Sequence, residues 1–112
     1  MSDASEYKKA VILALSAIVK IGPVLVRNIL NNAEDVAEIP AWSRARHLEI
    51  PGISDKLATE ITSRLDMESA LKIVDWAQQR DISLVTLLDE EYPRRLKEIY
   101  DAPPFLFIKG SF

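Results

Sequence analysis

Two short loops carry the residue types that hold phosphate groups. Each loop contains a single glycine, leads into an apolar helix and is followed by a basic residue. Glycine lets backbone amides approach an anion closely, and the positive end of the following helix attracts negative charge. The candidate phosphate-binding residues are Lys20, Gly22, Val24 and Arg27 in the first loop and Gly52, Ser54 and Lys56 in the second.

Both loops resemble the helix–hairpin–helix motif, which binds the DNA backbone through two glycines placed just before a helix. In the first loop, Lys20 stands where the first glycine of the motif belongs. In the second loop, Ser54 stands where the second glycine belongs. Asp55 at the start of the second outgoing helix would repel a phosphate, because acids and phosphates compete for the same helix end.

Two interpretations of the loops stay open. In the first, they hold DNA backbone. In the second, the hairpins pack on each other as a helical module similar to the sterile-alpha-motif-like (SAM-like) domains, and the glycines serve turn geometry. The net charge of -3 favours the second, because a domain that binds nucleic acid by neutralising phosphates is normally basic. We therefore expect this chain to bind single-stranded DNA weakly or undetectably at physiological salt.

A dense basic patch lies near the end of the chain, at Arg94, Arg95 and Lys97. It would either contact DNA phosphate or solvate the outer face of a helix predicted over residues 94–99. Charge alone does not separate these alternatives. Arg94 and Arg95 are therefore added to the candidate DNA-backbone residues.

The sequence contains few of the residue patterns that are typical of catalytic sites. It contains no cysteine, no Gly-x-Ser-x-Gly elbow and no glycine-rich phosphate loop, and His47 is its single histidine. Residues 89–91 are three adjacent acids, which are more typical of a solvated turn than of a cation site. We predict no catalytic residue, cofactor or metal, and no enzyme activity. His47 is predicted to lie on a helix surface, beside Arg44 and Arg46.

The apolar spacing predicts a mainly helical chain. From Ser5 to about Arg80 apolar residues recur at helix spacing, with breaks at residues 20–23 and 51–55. We predict a tandem helix–hairpin–helix (SAM-like) bundle without strands in this span. The first helix is predicted to end near residue 19, and a short helix is predicted over residues 33–39. The predicted helix caps are Ser43, Ser54 or Asp55, and Asp66. One core is predicted to contain Val11, Leu15, Ile18, Ile53, Leu57, Ile61, Leu65, Leu71 and Val74.

Composition points to a soluble cytoplasmic protein. The hydrophobic content of 48% is typical of a globular domain, and the absence of cysteine suits a reducing compartment. The acidic start lacks the basic region of a signal peptide. The apolar stretch over residues 10–19 is too short to cross a bilayer, so no membrane partner is expected.

Residues 82–112 follow a different pattern. Two apolar runs, at residues 84–88 and 105–108, flank the basic helix, and such runs are typical of strands in a parallel sheet covered on both faces. Two strands leave such a sheet incomplete, so one face would stay open, lie against the preceding helices or be covered by a second copy of the chain. We therefore predict a short incomplete α/β segment, with mobility or self-association through residues 105–108. A domain boundary is predicted near residue 80, between a helical domain (1–80) and this segment (81–112).

The end segment resembles a known family. Its motifs occur in the order in which the DprA (Smf) family of DNA-processing proteins opens a Rossmann-like domain after a helical N-terminal domain. They are Tyr92-Pro93, Leu96, Ile99, Pro103-Pro104, Leu106 and Lys109-Gly110.

This resemblance implies that residues 81–112 begin a truncated Rossmann-like domain. It also implies that the protein binds and protects incoming single-stranded DNA in natural transformation and loads the RecA recombinase, with no bond made or broken. The main DNA site would lie outside this chain. The alternative function is a protein–protein interaction or domain-orienting helical module that binds no DNA of its own.

Overall fold

A computed structural model describes the backbone of residues 3–109 and the side chains of residues 5–109. Gly110 of the Lys109-Gly110 pair lies outside the described residues. The elements are α1 (Asp3–Ser16), α2 (Pro23–Asn31), a 3₁₀ helix (Val36–Ala41), α3 (Arg44–Leu48), α4 (Asp55–Arg64), α5 (Met67–Gln79), β1 (Ile82–Thr86), α6 (Arg94–Lys97) and β2 (Phe105–Lys109). The predicted mainly helical fold is confirmed, and residues 3–80 contain no strand.

Short polar side chains set the helix starts. Ser43, Ser54 and Asp66 each accept a hydrogen bond from the backbone N–H three residues further on, at the first turns of α3, α4 and α5. These bonds satisfy amides that a helix start otherwise leaves unpaired. Pro23 begins α2, where its missing N–H costs nothing. The capping positions were therefore readable from the sequence.

Three helix bounds differ from the prediction. α1 ends at Ser16 instead of near residue 19, and the chain continues through tight turns in which Ile21 N donates to Ile18 O. The predicted helix over residues 33–39 is a 3₁₀ helix that begins at Val36 and contains Pro40. α6 ends at Lys97 instead of residue 99. Each difference lies in a turn, where a tighter hydrogen-bonding pattern replaces the α-helical one.

α1 is the centre of the core. Every residue from 10 to 15 is buried, so this helix is covered around its whole circumference. α5 packs along it, and the 3₁₀ helix, α2 and β1 also contact it. One buried cluster joins α1 to both hairpins and to the C-terminal segment through Val85, Leu87, Tyr92 and Ala102. A second cluster contains Ala10, Leu13, Ala14, Ala70, Val74 and Leu84.

The predicted core is correct except for two residues of α5. Val74 belongs to the second cluster, and Leu71 is 38% exposed. The reason is the rotation of α5, which turns Ala70, Val74 and Ala77 inward. Leu71 lies one residue, or about 100°, away from that line. The remaining predicted residues, Val11, Leu15, Ile18, Ile53, Leu57 and Ile61, share the first cluster, with Leu65 partly buried against it.

The prediction of a parallel sheet is wrong. β1 and β2 pair antiparallel, with Leu84 opposite Phe107 and Val85 opposite Leu106. Leu84 packs into the second cluster and Val85 into the first, so helices cover both faces of β1. This two-sided burial explains the continuous apolar run without a larger parallel sheet. Phe107 on β2 remains 46% exposed.

The C-terminal segment is tied closely to the helices. Asp81 adopts a left-handed conformation (φ 56°) that turns the chain from α5 directly into β1. Tyr92 is buried and its hydroxyl donates to Pro103 O at 2.6 Å, which closes the loop between the strands. Burial also raises the pKa of Tyr92. The division into residues 1–80 and 81–112 stays a prediction, and residues from both parts lie in one core.

The predicted surface position of His47 is wrong. Its ring is 1% exposed and lies edge-on to Trp42, with centroids 5.2 Å apart. The Arg46 guanidinium lies 4.2 Å from the centroid of the Trp42 ring. Burial lowers the pKa of His47, and the neighbouring Arg46 charge lowers it further. α3 is only five residues long, so its buried side is not visible as an apolar repeat.

The core assignment predicts opposite outcomes for two leucines. Leu57→Ala removes a buried side chain from the main cluster and should lower the free energy of unfolding by about 2–5 kcal/mol. Leu71→Ala, at a partly exposed position, should lower it by less than about 1 kcal/mol. Urea unfolding of both variants measures the difference. Equal losses would contradict the orientation of α5.

The buried histidine predicts a pH dependence of stability. Because the pKa of folded His47 lies below its unfolded value, the unfolded chain binds the proton more readily. Stability should therefore be full above about pH 6.5 and fall as the pH drops below it. Urea unfolding at pH values between about 7.5 and 5.5 tests this. In His47→Gln the fall across this window should be smaller, and an unchanged pH profile would refute the assignment.

Candidate functional site

The two hairpins pack against each other through the second turn. Gly52 has a φ of +94°, and a Cβ added there would lie 2.7 Å from Leu25 Cδ2 of α2. Asn28 Nδ2 donates to Pro51 O at 3.3 Å across the same contact. Gly52 therefore serves the turn and the close approach of α2, as the structural interpretation of the loops requires.

Gly22 occupies a different environment. Its backbone is extended (φ -90°, ψ -179°), and an added Cβ would meet nothing within 4 Å. Gly22 is the N-cap of α2, and no side chain caps this helix start. Val24, in the first turn, is partly buried. The start of α2 thus has amides that no side chain caps.

An open groove of about 790 Å³ lies between the first hairpin loop and α4. Lys56, Glu60 and Arg64 line it from α4, where their four-residue spacing places them on one face. Lys20 lines it from the loop. The fold therefore brings together Lys20 and Lys56, one predicted residue from each hairpin. The other lining residues are Ala17, Ile18 and Val19.

Among the described residues that line the groove, Glu60 is the one with an acidic side chain. Its Oε1 lies 3.6 Å from Lys20 Nζ, and its side chain is only 18% exposed. Oε1 is buried and has no hydrogen-bond partner among the described residues. With three basic side chains and one acidic one, the groove carries a net charge of about +2.

Arg27 and Ser54 have structural partners. The Arg27 guanidinium donates to Lys97 O at 2.8 Å and to Ile99 O at 3.3 Å, at the end of α6. Ser54 Oγ accepts from Leu57 N and caps α4. These contacts show that Arg27 and Ser54 each stabilise the fold. The contact of either residue with DNA stays a prediction.

The charge of Asp55 at the start of α4 is partly balanced. Arg44 Nη2 lies 3.0 Å from Asp55 Oδ1, and Arg44 Nε donates to Thr59 Oγ1. The expected repulsion between Asp55 and a phosphate is reduced by this ion pair. Asp55 is also highly exposed, with a side-chain accessibility of 82%, so its field is screened by water.

The basic patch on α6 is separate from the groove. Arg94 and Arg95 are exposed and do not line it. Their assignment to DNA stays a prediction.

Two residues of the groove, Glu60 and Arg64, were not predicted from the sequence, because the loop motifs do not include them. The spacing of Lys56, Glu60 and Arg64 along one helix was the signal that could have found them. Val19, which is 97% exposed at the groove edge, was not predicted either.

A second, smaller cleft of about 500 Å³ is lined by residues of both charges. Lys9 Nζ lies 3.9 Å from Asp89 Oδ2, and that oxygen also accepts from Thr86 N at 2.7 Å. Residues 89–91 form a turn, as predicted.

In the described part of the chain, no group of three or more His, Cys, Asp or Glu residues could hold a metal ion. None of the described helices is long and apolar enough to cross a membrane.

A family model described as a SAM-like helix-hairpin-helix tandem matches residues 12–67. This range is half of the chain and contains both hairpins and the groove. The chain therefore belongs to the SAM-like helix-hairpin-helix tandem family, which confirms the predicted class of the helical bundle.

The chain is also similar to Protein Smf from Synechocystis sp. The two are 30% identical over 101 residues, which cover 88% of this chain and 25% of that protein. This chain thus spans about a quarter of the length of that relative. The likeness supports a DprA-like helical domain, whereas the Rossmann-like assignment of residues 81–112 stays a prediction. No solved structure matches the chain.

The two glycines should respond differently to alanine. Gly52→Ala forces a side chain into a left-handed backbone conformation and should cost about 1–3 kcal/mol of stability. Gly22→Ala changes an N-cap in extended conformation with open space around it and should cost less than about 1 kcal/mol, because the poorer N-cap is offset by the lower entropy of the unfolded chain. Thermal unfolding compares them. A larger loss for Gly22→Ala would show that the hairpin contact is assigned wrongly.

Proposed function

We propose that this chain is an accessory domain of a DprA-like DNA-processing protein, and that it holds the backbone of single-stranded DNA in the groove between the first hairpin and α4. The observation that carries this proposal is the convergence of Lys20, Lys56 and Arg64 on one open groove. Membership of the helix-hairpin-helix tandem family and the likeness to Protein Smf support it.

The geometry of α4 favours a polymeric anion over a small one. Lys56 and Arg64 are eight residues apart, which is about 12 Å along a helix axis. A single phosphate would require both side chains to bend toward it, whereas phosphates along one strand can contact each side chain separately. Such contacts hold a backbone and do not read its sequence. The groove should therefore show little sequence preference.

The charge balance indicates weak binding. The net charge of -3 repels a polyanion at long range, and the groove itself carries only about two net positive charges. Neutralising two or three phosphates of a single strand gives a slope of log K against log salt of roughly -1.4 to -2.1. The affinity should therefore be low at physiological salt.

The wider function follows the resemblance to the DprA family. In this proposal the domain acts in natural transformation, in the cytoplasm, within a protein whose main DNA site lies outside this chain. That protein protects incoming single-stranded DNA and loads the RecA recombinase. The domain contributes binding and no chemical step, since its groove supplies charges and not a nucleophile.

A protein–protein interaction module is the second candidate. Ile73 and Trp76 on α5 are 42% and 44% exposed, and Phe107 on β2 is 46% exposed. Exposed apolar side chains of this size often mark protein contacts. Self-association through residues 105–108 would use Phe107, because its neighbours on β2 are partly buried. Sedimentation of the wild type and of Phe107→Ser distinguishes a dimer from a monomer.

Substitutions on α4 test the proposed DNA contact. Lys56→Gln and Arg64→Gln should each weaken binding of a fluorescent oligothymidine roughly three- to tenfold and make the salt slope shallower by about 0.7. Lys72→Gln is the matched control, because Lys72 is exposed on α5, does not line the groove and carries the same charge. Fluorescence anisotropy at low salt measures all three. Equal affinities of the Lys56, Arg64 and Lys72 variants would contradict the groove assignment.

A further inference from the structure

We propose that Glu60 masks the groove, by holding Lys20 in the free protein and so limiting both the affinity and the salt dependence of nucleic-acid binding. This inference rests on the proposed function, since it concerns regulation of the same groove. In this proposal Glu60 opposes DNA binding. Lys20 contacts phosphate only after its ion pair with Glu60 has broken.

The position of Glu60 suits this role. Glu60 lies one turn from Lys56 and one turn from Arg64 on the same face of α4, so its carboxylate sits among the basic groups. Lys20 reaches it from the opposite side, at 3.6 Å. A phosphate that enters the groove therefore meets a fixed negative charge in the middle of three positive ones.

Stability gives little reason for a carboxylate at this place. Glu60 Oε1 is buried, and within the described residues no donor forms a hydrogen bond to it. A buried charged oxygen without a hydrogen bond is unfavourable. Its nearest compensation is Lys20, whose side chain is 55% exposed, and exposed ion pairs contribute little to folding.

Lys20 is the more exposed partner of the pair. Its side chain belongs to a loop and is more than half exposed, whereas Glu60 is held on a helix and is mostly covered. Lys20 can therefore turn from Glu60 toward a phosphate, and Glu60 cannot leave. The ion pair breaks when a phosphate competes with Glu60 for Lys20.

The substitution Glu60→Gln tests this proposal, because it removes the negative charge of the side chain and keeps its shape. Glu60→Gln should bind oligothymidine roughly 1.5- to fivefold more tightly than the wild type at low salt, the scale of one charge pair. Its salt slope should be steeper by about 0.7, because one more cation is available to phosphate. Glu49→Gln is the matched control. Glu49 is also ion-paired, to Arg46 at 2.9 Å, and it does not line the groove.

A double substitution tests the mechanism. If Glu60 acts by holding Lys20, the gain from Glu60→Gln should shrink when Lys20 is also changed to Gln. A gain of the same size in both backgrounds would overturn the masking of Lys20. Thermal unfolding of each variant confirms that the fold is kept.

The remaining outcomes separate the inference from the proposed function. If Lys56→Gln weakens binding but Glu60→Gln matches Glu49→Gln, the mask is refuted and the DNA groove stands. If Lys56→Gln, Arg64→Gln and Glu60→Gln all bind as the wild type does, both proposals fail.

Discussion

The close contact between α2 and the turn at Gly52 is the constraint on which the candidate site depends. A φ of +94° strongly favours glycine, and a Cβ added to Gly52 would lie 2.7 Å from Leu25 Cδ2 and push that side chain aside. This contact fixes one hairpin against the other, and the buried residues Val11, Ile12 and Leu15 of α1 pack in the core that both hairpins share. The groove between the first loop and α4 exists because these two packings leave the loop and the helix side by side.

The groove is positively charged, whereas the chain as a whole is negatively charged. The chain carries a net charge of -3, yet three basic side chains meet in one groove and a single acidic one opposes them. Under the proposed function, this charge balance favours a weak contact with the nucleic-acid backbone, limited by Glu60. In a longer protein such a domain would add to a stronger DNA site, because linked sites raise each other's effective concentration. The match to about a quarter of Protein Smf is compatible with that arrangement.

The sequence predicted the elements well wherever local chemistry decides them. The caps at Ser43, Ser54 and Asp66 follow from side-chain oxygens that bond the first helical amides. Tertiary packing decided the rest. The burial of His47 depends on Trp42 and Arg46, and the antiparallel strands depend on helices that cover β1 on both sides. For the site, Lys20 and Lys56 were readable from the loops. Glu60 and Arg64 required knowing which face of α4 meets the first hairpin.

The most direct measurement is a two-dimensional nitrogen–proton NMR titration of this chain with a short oligothymidine at low salt. If the groove holds the strand, the amide signals of Lys20, Lys56, Glu60 and Arg64 will shift together and saturate with one affinity, while those of α5 and α6 stay in place. Shifts confined to Arg94 and Arg95, or no shifts at the groove under conditions where the oligonucleotide binds, would contradict the groove assignment.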